Sequence, residues 1–494
     1  MINSNHYYLA CAARDARFDG VFFVGVSSTG IYCRPICTAK LPKESNCLFF
    51  ASAAAAELAH FRPCLRCRPE LAPGNAPIDE AQGIARSIVD SLLDATQATI
   101  DWESLTARFK LSTRQLRRIV KQQLGVTPLQ LLQTRRLLLA KQLLTETHLP
   151  IIEIAFASGF NSLRRFNSVF AKVYHMPPSQ LRKTVLKGIS SETNDSSTLQ
   201  LSYRPPYDWE KLLSFLKDHL LKGVECVRND TYYRTVSLKG CQGWIGVKPH
   251  PTHSTLLVEF SHSLVLVLPL LLEKLRHLLD LNAQPMLIAE HLSQDPYLAP
   301  KVNATLGLRV PGAFDGFELA VRTILGQQIS VKAATTVASR FIAAFAEPIL
   351  TPIAELTYLT PTAGHIAELT VDEISQWGII SNRSKSIIAL AKAVVKGDLK
   401  FKLGMDPTVM IEELIKLPGI GPWTAHYIAM RALGWPDAFP KEDLAIRNHL
   451  GKITARQAEE LSQKWRPWRS YAVMHIWDAF TVARASPQAE TFFN

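Results

Sequence analysis

Along the chain the spacing of apolar positions changes several times, and each change predicts a different kind of structure. The first 70 residues show no sustained period and end in the Pro/Gly-rich stretch ELAPGNAPIDE, which reads as a small domain followed by a linker. From about Ala81 to Leu186 apolar residues recur at three and four spacing, with few β-branched runs, predicting an α-helical unit. The segment GISSETNDSSTLQ, residues 188 to 200, is nearly devoid of apolar residues and predicts a flexible tether. Beyond it YYRTVSL, GWIGVKP, STLLVEFS and SLVLVLP read as short strands among helices, and past Pro311 the pattern is almost wholly helical. The expected fold is multidomain α+β: a small α/β domain at 1–78, a helical domain at 82–186, a linker at 187–200, a mixed β-α subdomain at 201–310 and an all-α domain at 311–494.

Composition supports this division. A chain of 494 residues exceeds what one hydrophobic core sustains, and 47% hydrophobic with 20% charged residues is ordinary globular protein. The formal charge of +12 calls for a polyanionic partner, nucleic acid or an anionic membrane. Residues 101–187 carry 15 Lys and Arg against 4 Asp and Glu, so nearly the whole excess is local. The most apolar run, Leu264 to Leu272, is broken by Pro269 and followed by Glu273. It falls far short of the roughly 20 residues that span a bilayer, so no membrane partner is expected. The start MINSNHYYLACAARDARFDG lacks the basic and apolar parts of a secretory signal, giving an expectation of a cytoplasmic protein without disulfides.

Four of the eight cysteines form two close pairs, C-R-P-I-C (Cys33, Cys37) and C-L-R-C (Cys64, Cys67), separated by 26 residues. Four thiols in two tight turns can converge on one tetrahedral Zn²⁺; an iron–sulfur cluster would accept the same ligands, and a redox pair would need one motif only. Spacing alone fits a zinc ribbon that merely holds a small fold together. The stretches FVGVSSTGIYCRPIC, SNCLFF and HFRPCLRCRPE resemble the N-terminal domain of the Ada family of methylphosphotriester sensors. The resemblance implies that Cys33 accepts a methyl group from DNA while bound, with Cys37, Cys64 and Cys67, to one zinc. Zn²⁺ with four thiolates carries −2, and uptake of a methyl group from a neutral phosphotriester leaves −1, so alkylation would strengthen DNA binding. Cys11, Cys47, Cys226 and Cys241 read as apolar fillers.

Within the basic unit two helix-turn-helix patterns can be drawn, IDWESLTARFKLSTRQLRRIVKQQLGVTP and IIEIAFASGFNSLRRFNSVFAKVYHMPP, with Ser112 and Asn161 as candidate N-caps. The pair resembles the AraC family of transcription regulators. Arg114, Arg117, Arg118, Arg164 and Arg165 then lie on groove-facing helices that contact phosphates or guanine edges of double-stranded DNA, and RNA polymerase is a further expected partner.

Near the C-terminus EELIKLPGIGPWTAHYIAMRALG sets an L-P-G-I-G hairpin between two helical stretches; Gly419 and Gly421 would let the backbone reverse and approach a phosphate. Such a hairpin also occurs in plain DNA-binding modules. In FPKEDLAIRNHL, Asp443 stands at a probable helix start, where an N-cap is the simplest role. With DGFELAVRTILGQQISVKAA and RPWRSYAVMHIW, the constellation resembles the AlkA branch of helix-hairpin-helix DNA glycosylases. The resemblance implies Asp443 as the catalytic carboxylate, rather than the adjacent Glu442, with Trp423, Tyr427 and Trp477 lining the base pocket. Gln328 stands where that branch inserts an apolar wedge into DNA. Ring-alkylated bases such as 3-methyladenine and 7-methylguanine are cationic, leave readily and stack on electron-rich rings. Trp423 occupies the hairpin position where bifunctional relatives carry a lysine, so no Schiff-base lyase is expected, and no cysteine follows Cys241 to hold an iron–sulfur cluster in that half. No Pro-Cys-His-Arg motif for O6-alkylguanine repair is present. The expectation is a methyl-sensing, DNA-binding front half fused to a monofunctional 3-methyladenine glycosylase; the alternative is a regulator whose rear half only binds DNA.

Overall fold

The computed structural model describes residues 4–73, 102, 103, 106, 111–185, 195–401 and 405–485. The chain divides into two compact units, Met1–Arg204 with Val236–Glu273, and Pro205–Thr235 with Lys274–Asn494.

The first unit opens with helix α1 (Ser4–Ala12) and a sheet of four short strands, β1 (Phe23–Val26), β2 (Ile31–Cys33), β3 (Cys47–Phe50) and β4 (Arg62–Pro63), in the order β3-β1-β2-β4. Strands this short carry no alternation that a sequence would reveal. Aromatic residues hold them, with Tyr7 stacked on Phe22 at 4.1 Å and Phe22 meeting Phe49 edge-on. Gly25 of β1 leaves room for the neighbouring ring, since a Cβ there would stand 2.7 Å from Phe50. Helix α2 (Ala53–Leu58) is capped by the Ser52 hydroxyl.

Next come α3 (Thr113–Leu124), α4 (Pro128–Glu146), α5 (Ile151–Ala157), α6 (Leu163–Tyr174) and α7 (Pro178–Val185). Ser112 and Thr127 form capping boxes with Gln115 and Gln130, and Gly125 ends α3 in the left-handed region. Ser162, not Asn161, caps α6: its hydroxyl accepts the Arg165 N–H, one residue later than the sequence suggested. Of the first helix in the first helix-turn-helix pattern only Trp102, Glu103 and Thr106 are described, all three helical, and the rest of that expected helix lies outside the described residues.

The expected tether at 187–200 is corrected at its end. Ser196–Ser202 forms β5, an edge strand antiparallel to β9 (Thr255–Ser261), which pairs with β8 (Cys241–Pro249). Serines hid this strand from a hydropathy reading. Leu199 and Leu201 are fully buried, while Ser196 bonds to Glu259 and Ser197 to His262, so the hydroxyls are satisfied. SLVLVLP is likewise no strand; His262–Val267 is a 3-10 turn leading into the helix Leu268–Leu278, with Leu264, Val265 and Val267 inward and Leu266 outward. By contacts, Val236–Glu273 clusters with the first unit.

The second unit contains α8 (Trp209–Asp218) and β6 (Glu225–Arg228), which forms a hairpin with β7 (Thr231–Leu238). Its helical part includes α9 (Gly316–Leu325), α10 (Val331–Phe345), α11 (Ser381–Lys396), α12 (Pro407–Ile415), α13 (Pro422–Ala432), α14 (Leu444–His449) and α15 (Arg469–Ala485), besides shorter helices. One core runs through it, built from Ile324, Phe341, Ile387, Met410, Leu414 and Ile428. No helix of the described residues is long and apolar enough to cross a membrane.

Candidate functional site

Two chemically distinct sites stand out, one in each unit. In the first, Cys33 ends β2, Cys37 follows on the next turn, and Cys64 and Cys67 flank the turn after β4; all four sulfurs lie within 4.8 Å of one another. A tetrahedral ion with Zn–S bonds of about 2.3 Å requires sulfurs about 3.8 Å apart, so the four side chains fit one such ion. Cys33 and Cys64 are buried, Cys37 and Cys67 half-buried. Hydrogen bonding to Cys33 pulls Cys37 down to about 7, while the bonds from Cys37, Cys64 and Cys67 push Cys33 up. Cys33, Cys37, Cys64 and Cys67 would hold a dication as thiolates, with their protons lost to solvent.

Arg34, between the first two cysteines, joins the pairs. Its backbone N–H donates to Cys67 Sγ at 3.3 Å and its Nη1 to the Cys67 carbonyl at 3.1 Å. Its Nε donates to Asp19 at 2.8 Å within a buried ion pair. The sequence reading missed this role, although an arginine directly after the first ligand was visible.

The predicted DNA-facing arginines fall on α3 and α6 with one repeated pattern. Arg114, Arg117 and Arg118 are exposed around buried Leu116 and Val120, and Arg164 and Arg165 are exposed beside buried Phe166 and Phe170. Arg117 packs over the Trp102 ring at 4.7 Å.

In the second unit Asp443 is the N-cap of α14, and Oδ1 accepts the Ile446 N–H at 2.9 Å. The simple cap reading is therefore correct but incomplete. Trp423 Nε1 donates to Oδ2 at 2.8 Å and Trp477 Nε1 to Oδ1 at 3.4 Å, so two indoles from α13 and α15 meet on one carboxylate. Trp423 stacks on Tyr427 with centroids 5.3 Å apart and planes 9° from parallel, and Tyr427 meets Trp477 at 6.1 Å. All three rings are half-buried, while Asp443 is 9% exposed. Arg431, one helical turn beyond Tyr427, donates to its hydroxyl at 2.8 Å and is itself fixed by the Pro311 and Gly312 carbonyls. The i, i+4 spacing was the only available signal for it.

The hairpin between α12 and α13 contains both predicted glycines, with different roles. Gly419 has φ +74 and an added Cβ would stand 2.2 Å from Ser386 Oγ. Gly421, expected to help reverse the backbone, is instead extended at φ −91, and a Cβ there meets nothing within 4 Å. It caps α13 without a side chain, and because Pro422 carries no N–H, the N–H groups this end can offer an anion begin at Trp423. Gln328 is exposed at the turn between α9 and α10 with φ +57. Its neighbour Gln327 donates to the Gly419 carbonyl at 2.8 Å and to Thr424 at 3.1 Å, tying that turn to the hairpin.

Family models match both halves of the chain. The family model for the metal binding domain of Ada matches residues 6–70, a helix-turn-helix domain 105–184, the AlkA N-terminal domain 198–315, and the HhH-GPD superfamily base excision DNA repair protein 321–469. A probable bifunctional transcriptional activator/DNA repair enzyme AlkA of Mycobacterium tuberculosis (strain ATCC 25618 / H37Rv) is 36% identical over 476 residues, 95% of each chain. DNA-3-methyladenine glycosylase 2 of Escherichia coli (strain K12) is 32% identical over 277 residues, 56% of this chain and 95% of that one. The bifunctional transcriptional activator/DNA repair enzyme AdaA of Bacillus subtilis (strain 168) is 30% identical over 170 residues, 34% of this chain and 78% of that one. The chain thus belongs to the family of bifunctional transcriptional activator/DNA repair enzymes in which an Ada-type zinc domain and a helix-turn-helix domain precede an AlkA-type DNA glycosylase.

Proposed function

We propose that the second unit hydrolyses the N-glycosidic bond of ring-alkylated bases, 3-methyladenine and 7-methylguanine among them, with Asp443 as the catalytic carboxylate. The observation that carries the proposal is the meeting of the Trp423 and Trp477 indoles on the Asp443 carboxylate beside a stacked Tyr427. A cationic base turned out of the duplex would stack on these rings. As the bond to the base lengthens, positive charge grows on the sugar, and the fixed carboxylate opposes it. Water then adds to the sugar, its proton passes to solvent or to Asp443, and the base departs with the bonding electrons. Gln328, exposed on its turn, would fill the space left in the duplex, and the open N-terminus of α13 at Gly419–Gly421 would hold a backbone phosphate.

The first unit would take a methyl group from a DNA methylphosphotriester onto Cys33. The Cys33 sulfur forms a bond to the methyl carbon, the carbon–oxygen bond breaks, and the electron pair stays on the phosphate as a diester anion. Zinc supplies a sulfur that is deprotonated and still nucleophilic at neutral pH. The change from −2 to −1 at the site would favour the phosphate backbone, and Arg114, Arg117, Arg118, Arg164 and Arg165 would then read promoter DNA. The relatives' naming as transcriptional activators extends the proposal to RNA polymerase as a protein partner.

Release of free base from methylated duplex DNA tests the first activity, and an inactive wild-type chain rejects it. For the second, peptide mass spectrometry after exposure to methylated DNA should find one added methyl, on Cys33. A methyl elsewhere, or none, rejects the assignment.

A further inference from the structure

A lysine from the DNA-binding helices is built into the cysteine site. Lys141, on α4, is 1% exposed, and its Nζ donates to the Cys64 carbonyl at 3.2 Å and to Glu70 at 2.5 Å. Glu70 also accepts from Arg68 at 3.0 Å, and Arg68 pairs with Glu146 at the end of α4. The two cations and two anions neutralise one another, yet the ammonium group is the member that touches a metal-ligand residue. A buried ammonium without partners is strongly unfavourable, so these contacts fix its position tightly. A second connection lies nearby: the Ser52 hydroxyl, while capping α2, donates to the Leu124 carbonyl at 2.9 Å, at the last residue of α3.

We propose that Lys141 is a positioning residue of the zinc centre, supplied in this chain by the DNA-binding domain. By holding the Cys64 carbonyl it fixes the turn that aims the Cys64 and Cys67 sulfurs. The helix that carries it also follows α3, the helix bearing Arg114, Arg117 and Arg118, so the geometry of the thiolates and the placement of those arginines depend on one another. The inference rests on the zinc reading of the four cysteines. Outer contacts of this kind change metal affinity by about 10- to 100-fold when removed.

The test uses the full chain loaded with zinc or with cobalt(II), comparing wild type, Lys141→Met and Lys141→Arg. Lys141→Met should bind one metal but lose zinc to EDTA about tenfold faster, with a shifted cobalt–thiolate absorption band, and Lys141→Arg should restore most of both. Zinc loss at the wild-type rate together with an unchanged cobalt spectrum overturns the inference. If circular dichroism shows that Lys141→Met does not fold, Glu70→Gln decides: faster zinc loss supports the role and wild-type behaviour overturns it. A wild-type chain that takes up no zinc overturns the metal site itself and the inference with it, whereas an unaffected variant of a zinc-loaded chain overturns the inference alone.

Discussion

Replacing Asp443 by asparagine separates the helix-cap role seen in the structure from the catalytic role proposed for this side chain. As an N-cap, asparagine is nearly equivalent, and its oxygen can keep the Ile446 N–H. The carboxylate, however, accepts from Ile446, Trp423 and Trp477 through two oxygens, and asparagine offers only one. With the oxygen toward Ile446, the amide NH₂ faces the Trp423 N–H, and one buried donor without an acceptor costs about 1–3 kcal/mol of stability. The catalytic loss is larger. A carboxylate about 4 Å from a developing cation, at an effective dielectric constant near 20, contributes about 4 kcal/mol. At roughly 1.4 kcal/mol per decade this is about a thousandfold in rate. Single-turnover release of 3-methyladenine from a methylated duplex, beside fluorescence anisotropy on an abasic analogue, should show the rate falling about a thousandfold with affinity nearly unchanged. A variant that keeps wild-type turnover, or loses turnover only in step with affinity, refutes the reasoning.

Three further outcomes follow from described geometry. Gly419→Ala, forced to φ +74 with its Cβ against Ser386, should lower the midpoint of thermal unfolding, whereas Gly421→Ala should leave it unchanged, so that any loss of DNA affinity in the latter reports a phosphate approaching the α13 terminus. Gln328→Ala should slow base release without lowering stability, because the side chain is exposed and alanine tolerates the turn no worse; equal rates on paired and unpaired damaged bases would count against a wedge. Glu57 is pushed up to about 7 by burial, despite accepting from Thr134 at 2.6 Å and Tyr32 at 3.1 Å. The folded chain therefore holds this proton more tightly than the unfolded chain, whose carboxyl stays near 4.5, and stability falls by about 3 kcal/mol as pH rises across that window. Glu57→Gln can bond to both hydroxyls and should flatten the dependence; denaturant titrations between pH 5 and pH 8 that show the same slope for both chains would contradict this.

What the sequence disclosed was whatever local rules encode. Cysteine pairs announce a shared ion, Ser112 and Gln115 a capping box, and L-P-G-I-G a hairpin, because each depends on residues a few positions apart. Asp443 could be read as a helix cap for the same reason, while its two indole donors stand 20 and 34 residues away and needed a family resemblance. Contacts without any period were invisible. Lys141 and Glu70 are 71 residues apart, and Arg34 and Cys67 are 33. Strand β5 failed for a different reason: hydropathy scores a serine as though it faced water, and cannot register that Glu259 or His262 waits to receive it.

The position of β5 has a practical consequence. Its outward backbone is not left bare, for the Gln200 N–H donates to Glu146 and the Gln200 carbonyl accepts from Gln142, both on α4. A polypeptide begun at residue 201 to isolate the repair half would lose this strand and uncover the hydrogen-bonding rim of β9, a template for sticking to other chains. Severing the protein at that apparent seam should therefore yield insoluble material, and a fragment would have to keep β5 together with the α4 residues that cover its outer edge.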